Sequence, residues 1–69
     1  MDNLSIINLR NNLKGYRVKS GYSQETLAEK LGVCVSTVKK WEKQPNKMTF
    51  EKLAILADLY KCTVKDFFL

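Results

Sequence analysis

The chain has no histidine at all. That absence removes the commonest general base and, with it, Ser/His and Cys/His nucleophilic catalysis. Its two cysteines, Cys34 and Cys62, do not form a close pair, and two thiols cannot fill a four-ligand zinc site, so no metal centre is expected. One proline and three glycines in 69 residues, with nothing low-complexity or repeated, argue against disorder and leave no linker or second domain. We read residues 1–69 as one domain. Long apolar runs are missing too. The N-terminal MDNLSIINLRNN has neither a basic start nor a continuous apolar core, so it reads as neither signal peptide nor membrane span, and a cytoplasmic location is expected. The carboxylates are scattered among lysines at helix-surface spacing, the pattern of a solvated face. No enzymatic activity, cofactor or small-molecule ligand is expected.

What the chain has in quantity is positive charge. Twelve Lys and Arg against seven Asp and Glu give a net charge of +5, with a pI near 9.4. On so small a domain this favours a polyanionic partner, nucleic acid first and acidic protein or membrane surface after.

The hydrophobic pattern is helical throughout. A first helix is expected over Leu9–Lys19, with Leu9, Leu13 and Tyr16 or Arg17 on one side and Asn8 or a residue just before it as cap. Asp2 to Ile7 either continue that helix or form an arm. Gly15 inside it costs on the order of 1 kcal/mol against alanine, so either another helix packs closely there, which is the preferred reading, or the position is simply tolerated. Ser20 and Gly21 break the helix, and Ser23 caps a second over Gln24–Leu31, whose buried face is Leu27, Ala28 and Leu31. Gly32 suits the left-handed backbone that ends it. A third helix is expected over Val35–Lys43, with Gln44 already in the loop because the residue before Pro45 is pushed out of helical geometry. Thr49 caps a fourth, Phe50–Tyr60, and Thr63 a fifth, with Asp66 in a box-like position. The expected fold is all-α: five short helices and no strand.

The stretch SQETLAEKLGVCVSTVKKWEK, Ser23 to Lys43, organises the rest. Two helices joined by so short a turn must cross, and the crossing presents the second outward. On that helix Val35, Ser36, Lys39, Lys40 and Lys43 share a face opposite Val38 and Trp41, basic and free of acids. Such a face suits the major groove of DNA. Lysines meet phosphates, Ser36 can hydrogen-bond a base edge, and Val35 can meet a thymine methyl, although an apolar residue near a helix start suits the core as well. Lys39 and Lys40 are further base candidates, and Thr37, Lys43 and Lys47 are phosphate candidates. Gln24, at the start of the preceding helix, can hold a phosphate with its amide and the free N–H groups of that terminus.

Gln24, Ala28, Gly32, Val38 and Trp41 resemble the glutamine, small residue, turn glycine and two core residues of the phage Cro and repressor group of helix-turn-helix proteins, often called Xre-type. The likeness runs from about Leu9 to the C-terminus. Arg17 with Glu42 is similar to the arginine and glutamate pair by which that family ties its first helix to its third, and CTVKDFF resembles its closing segment. The resemblance implies a lambda-repressor-like DNA-binding domain, with base contacts at Val35, Ser36 and Lys40 and a backbone phosphate on Gln24. Two departures stand out. Cys34 replaces the usual serine or threonine cap, so the third helix is expected to start less firmly. Gln44 replaces a glycine, so the following loop is expected to take a different path.

Ile55 and Leu59, with Phe67, Phe68 or Leu69, are candidates for an exposed apolar patch and hence for a dimer interface, with ordinary packing of Ile55 and Leu59 against Leu4, Ile6 or Ile7 as the equal alternative. The reading is a Cro-like repressor on a pseudo-palindromic double-stranded DNA operator, bound as a homodimer that forms in solution or only on DNA. The alternative keeps the fold but makes the protein an antitoxin-like or anti-repressor adaptor acting through protein contacts.

Overall fold

A computed structural model describes residues 3–69. Helix α1 spans Asn3–Lys19. It therefore starts well before Leu9, and the stretch up to Ile7 continues the helix rather than forming an arm; Asp2 lies outside the described residues. Half-buried Ile6 extends the stripe of Leu9 and Leu13 by one turn, and no glycine or proline lies within residues 3–14. Asn8 is inside the helix and is not its cap.

Helix α1 closes at Gly21, whose φ is 80°. The Gly21 N–H donates to the Val18 carbonyl at 3.0 Å and the Tyr22 N–H to the Arg17 carbonyl at 3.1 Å, the paired closure that left-handed backbone allows. Helix α2, Gln24–Leu31, starts on Ser23, whose hydroxyl oxygen accepts from the Thr26 N–H at 3.0 Å. It ends on Gly32 in the same manner, with Val33 N–H donating to the Ala28 carbonyl at 3.0 Å. Helix α3 is Val35–Lys43. Gln44 ends it, and Pro45–Lys47 form a 3-10 turn where a plain loop was expected. Proline has the φ that a helical first turn needs, and here it is buried.

Thr49 caps helix α4, Phe50–Leu59, by accepting from the Lys52 N–H at 3.2 Å. The helix stops one residue short of Tyr60. Lys61 takes the left-handed place that glycine holds in the two earlier closures, with φ 58°. The expected fifth helix is a 3-10 segment, Val64–Phe68, begun by the Thr63 N–H donating to Asp66 Oδ2 at 3.0 Å. A run this short favours the tighter winding. Among the described residues the fold is all-α, with four α-helices, two 3-10 segments and no strand.

The core joins Leu9 and Leu13 of α1, Leu27, Ala28 and Leu31 of α2, Val38 of α3 and Leu53, Leu56 and Ala57 of α4. Tyr60 and Phe67 complete it, Phe67 being wholly buried. Phe67 meets Tyr16 edge-on at 5.7 Å between ring centres, and Asn12 Nδ2 donates to its carbonyl at 2.7 Å, pinning the C-terminus on α1. Burial among these rings pushes the Tyr60 phenol far above its usual range. Trp41 is half-buried and packs against this cluster from α3.

Two expectations need correcting. No neighbour approaches Gly15: a Cβ built there meets nothing within 4 Å, so no helix packs closely on it. Phe67 cannot contribute to an exposed patch, and Leu59 is half-buried against the core. Ile55, Phe68 and Leu69 remain at the surface.

Candidate nucleic-acid interface

Helix α3 is held from its inner side by three elements. Val38, 2% exposed, packs into the core. Glu42, one turn further on, is fixed at both oxygens: Arg17 Nε of α1 donates to Oε2 at 2.6 Å, and Gln24 Nε2 of α2 donates to Oε1 at 3.0 Å. Arg17 also donates from Nη1 to the Tyr22 carbonyl at 2.9 Å, in the turn leading to α2. One half-buried carboxylate thus sets the positions of three helices. Charge-assisted bonds of this kind are roughly twice as strong as neutral ones, and the planar guanidinium fixes their direction. The sequence reading of Arg17 and Glu42 as a pair linking the first helix to the third is met directly.

The outer side has no such ties. Ser36, Lys39, Lys40 and Lys43 are exposed, as is Lys47 beyond the helix. Arg17 with Glu42 is the only ion pair among the described residues, so these lysines have no carboxylate partner there. Val35 is half-buried and packs against the core cluster, with Thr37 half-buried next to the exposed Ser36. The candidates on α3 are therefore brought together on one helix, but Val35 sits at the margin between surface and core.

The two helix starts differ. Ser23 satisfies one N–H of α2, while the N–H groups of Gln24 and Glu25 have no partner among the described residues. Cys34 precedes α3 with extended backbone, φ −76° and ψ 152°, yet its side chain accepts no hydrogen bond. Both starts leave N–H groups and positive dipole ends open to an anion. Gln24 stands at the first position of α2, where the sequence placed it. One of its amide hydrogens is committed to Glu42, which leaves the other for a ligand.

A cleft of about 570 Å³ opens beside this assembly, between α1 and α3. Arg10, Asn11, Lys14 and Arg17 line it from α1 and Lys39, Glu42 and Lys43 from α3, with Gln24 of α2. Arg10 and Lys14 were not among the residues singled out from sequence. The signal was there: they lie seven and three residues before Arg17, hence on the helix face that Arg17 turns toward α3. Among the described residues no group of three or more Cys, Asp or Glu is placed to hold a metal ion.

No curated protein and no solved structure matches the chain. Residues 13–67 match the model of a family described as helix-turn-helix, a span that includes the α2–α3 pair, Arg17 and Glu42, and reaches Phe67 of the core. The chain belongs to that family, the Cro/C1-type helix-turn-helix group whose members bind DNA and regulate transcription.

Proposed function

We propose that the protein is a Cro-like repressor, a single-domain module that occupies a pseudo-palindromic operator in double-stranded DNA and carries out no catalysis. The observation that carries this reading is the contrast on α3: an inner side locked by Val38 and Glu42, and an outer side of Ser36, Lys39, Lys40 and Lys43 without an ion pair. Base contacts are assigned to Val35, Ser36, Lys39 and Lys40, and phosphate contacts to Gln24, Thr37, Lys43 and Lys47. A phosphate at the α2 start would take the remaining Gln24 amide hydrogen together with the N–H groups of Gln24 and Glu25. One module buries too little surface for high specificity, so two copies are proposed to act on half-sites about 10 base pairs apart. No described helix is long and apolar enough to cross a membrane, and the proposed site of action is the cytoplasm.

Selection from random duplex DNA, at low and at moderate salt, tests this reading. A two-fold-related motif that persists as salt rises supports it. On the selected site, Lys40→Ala is expected to weaken binding by about 1–3 kcal/mol and to relax one base preference, whereas Lys47→Ala weakens all sequences alike. Equal losses on every sequence for both variants would make Lys40 a phosphate contact only.

A second reading draws on the exposed Ile55, Phe68 and Leu69, which suit an antitoxin-like or anti-repressor adaptor as well as a homodimer. Failure to enrich any motif, together with co-purification of an acidic partner, would favour the adaptor.

A further inference from the structure

We propose that the cleft between α1 and α3 brings Arg10 and Lys14 into the phosphate contact assigned to Lys43, taking a backbone phosphate of the duplex beyond the bases that α3 faces. This rests on the DNA-binding reading above and extends it to a helix outside the α2–α3 pair. Two cation pairs meet across the cleft: Arg10 and Lys14, one turn apart on α1, and Lys39 and Lys43, one turn apart on α3. Like charges at that spacing repel along each helix, and bringing two such pairs together adds repulsion between helices.

The single carboxylate in the cleft does not relieve this. Both oxygens of Glu42 are occupied, one by Arg17 and one by Gln24. Its charge offsets that of Arg17 and leaves the other four cations uncompensated. Arg10, Lys14, Lys39 and Lys43 are all exposed, and none makes an ion pair among the described residues. They do not hold the fold together. What the arrangement lacks is an anion.

The chemistry favours a phosphate on a polymer. Arg10 offers a planar fork and the lysines mobile point charges, the mixture that suits phosphate oxygens, and the Asn11 amide in the lining adds a neutral donor. Lys39 and Lys43 belong at once to the cleft and to the helix assigned to the major groove. Gln24, the first residue of α2, lines the cleft too. An anion held here is thus continuous with the phosphates assigned to α2 and α3. A free phosphate offers the same oxygens without that continuity.

The test compares Arg10→Gln/Lys14→Gln with Lys30→Gln/Lys65→Gln, which removes the same charge outside the cleft. Affinity is measured against salt on the selected operator and on random-sequence duplex. Each lost phosphate contact lowers the log–log salt slope by about 0.9, so the cleft variant is expected to lose about 1–2 in slope and about tenfold or more in affinity at low salt, with base preference unchanged. The control pair is expected to keep the wild-type slope to within about half of one such contact. Equal slopes in the two variants would overturn the cleft assignment while leaving the operator reading intact. Because the slope is also read on random duplex, the cleft is tested even where no motif is selected; a wild type that binds no duplex overturns both. Inorganic tripolyphosphate bound by the wild type as tightly as duplex would assign the cleft to free anions and overturn the DNA assignment. Thermal unfolding is followed in parallel, with a melting temperature at or above that of the wild type expected as repulsion is relieved. Cooperative unfolding more than about 5 °C lower in both Arg10→Gln and Lys14→Gln singly would make these cations part of the scaffold and end the proposal.

Discussion

The two sides of the α2–α3 pair are built on opposite terms. On the inner side each group has a partner: Val38 has the core, Glu42 has Arg17 and Gln24, and Arg17 has the Tyr22 carbonyl. On the outer side the lysines have no ion pair among the described residues, and Cys34 leaves the start of α3 without a side-chain cap. The difference teaches where each kind of substitution should register. Inner changes should lower stability and affect binding only through position, whereas outer changes should alter binding or even raise stability.

The largest effect is expected at Glu42. Glu42→Ala leaves the Arg17 guanidinium, only 12% exposed at its side chain, without its carboxylate, and frees Gln24. Removing one partner of a buried pair costs about 3–5 kcal/mol, and partial solvent access at this site reduces the expectation to about 2–3 kcal/mol. The urea midpoint checks it. A loss below about 0.5 kcal/mol, the range of an ordinary surface change, would mean that the inner side is not held through this carboxylate.

A gain is expected at Cys34. Serine in its place can accept an N–H of the first turn, as Ser23 and Thr49 do for their helices. Restoring such a cap contributes about 1 kcal/mol, which in a domain of this size raises the melting temperature by about 4–8 °C. Cys34→Ser is accordingly expected to melt higher and to bind duplex no more weakly. A lower melting temperature would mean that the thiol makes packing contacts that a hydroxyl cannot, and would remove the contrast between the two helix starts.

The same comparison shows which features were legible in the residues and why others were not. Helices α2 and α3 were read to the residue because each boundary has its own chemistry: Ser23 and Gly32 for one, Pro45 for the other. The Arg17–Glu42 pair was legible through its resemblance to a family pattern, and its geometry agrees. Features lacking a decisive local signal were missed. Asp2, Asn3 and Asn8 are all cap-type residues, so residue type could not choose between the possible starts, and α1 was begun too late. Lys61 supplies a left-handed closure with a residue type that does not advertise one. Pro45 was taken only as a stop, although its fixed φ also opens the 3-10 turn that follows. The cleft was hidden for another reason. Arg10 and Lys14 become part of the site only once α1 is docked beside α3, a long-range relation that no short window contains.

The smallest expected effect is at Gly15, the position where sequence reasoning expected a close helix contact. A mid-helix glycine is usually tolerated either because a neighbour requires the space or because nothing selects against it. Here no atom outside its own helix backbone and chain neighbours lies within 4 Å of a built Cβ, and Gly15 does not have the positive φ of Gly21 and Gly32. Gly15→Ala therefore meets no steric penalty and restricts the unfolded chain, for a gain of about 0.5–1 kcal/mol. Thermal unfolding of the free protein reads this directly. Repeating the measurement at rising protein concentration sharpens it, because a gain at low concentration that vanishes at high concentration would mean that a second copy approaches this face of α1. A loss at every concentration would mean that α1 packs on a neighbour at Gly15 after all, and the open side would then end before this helix.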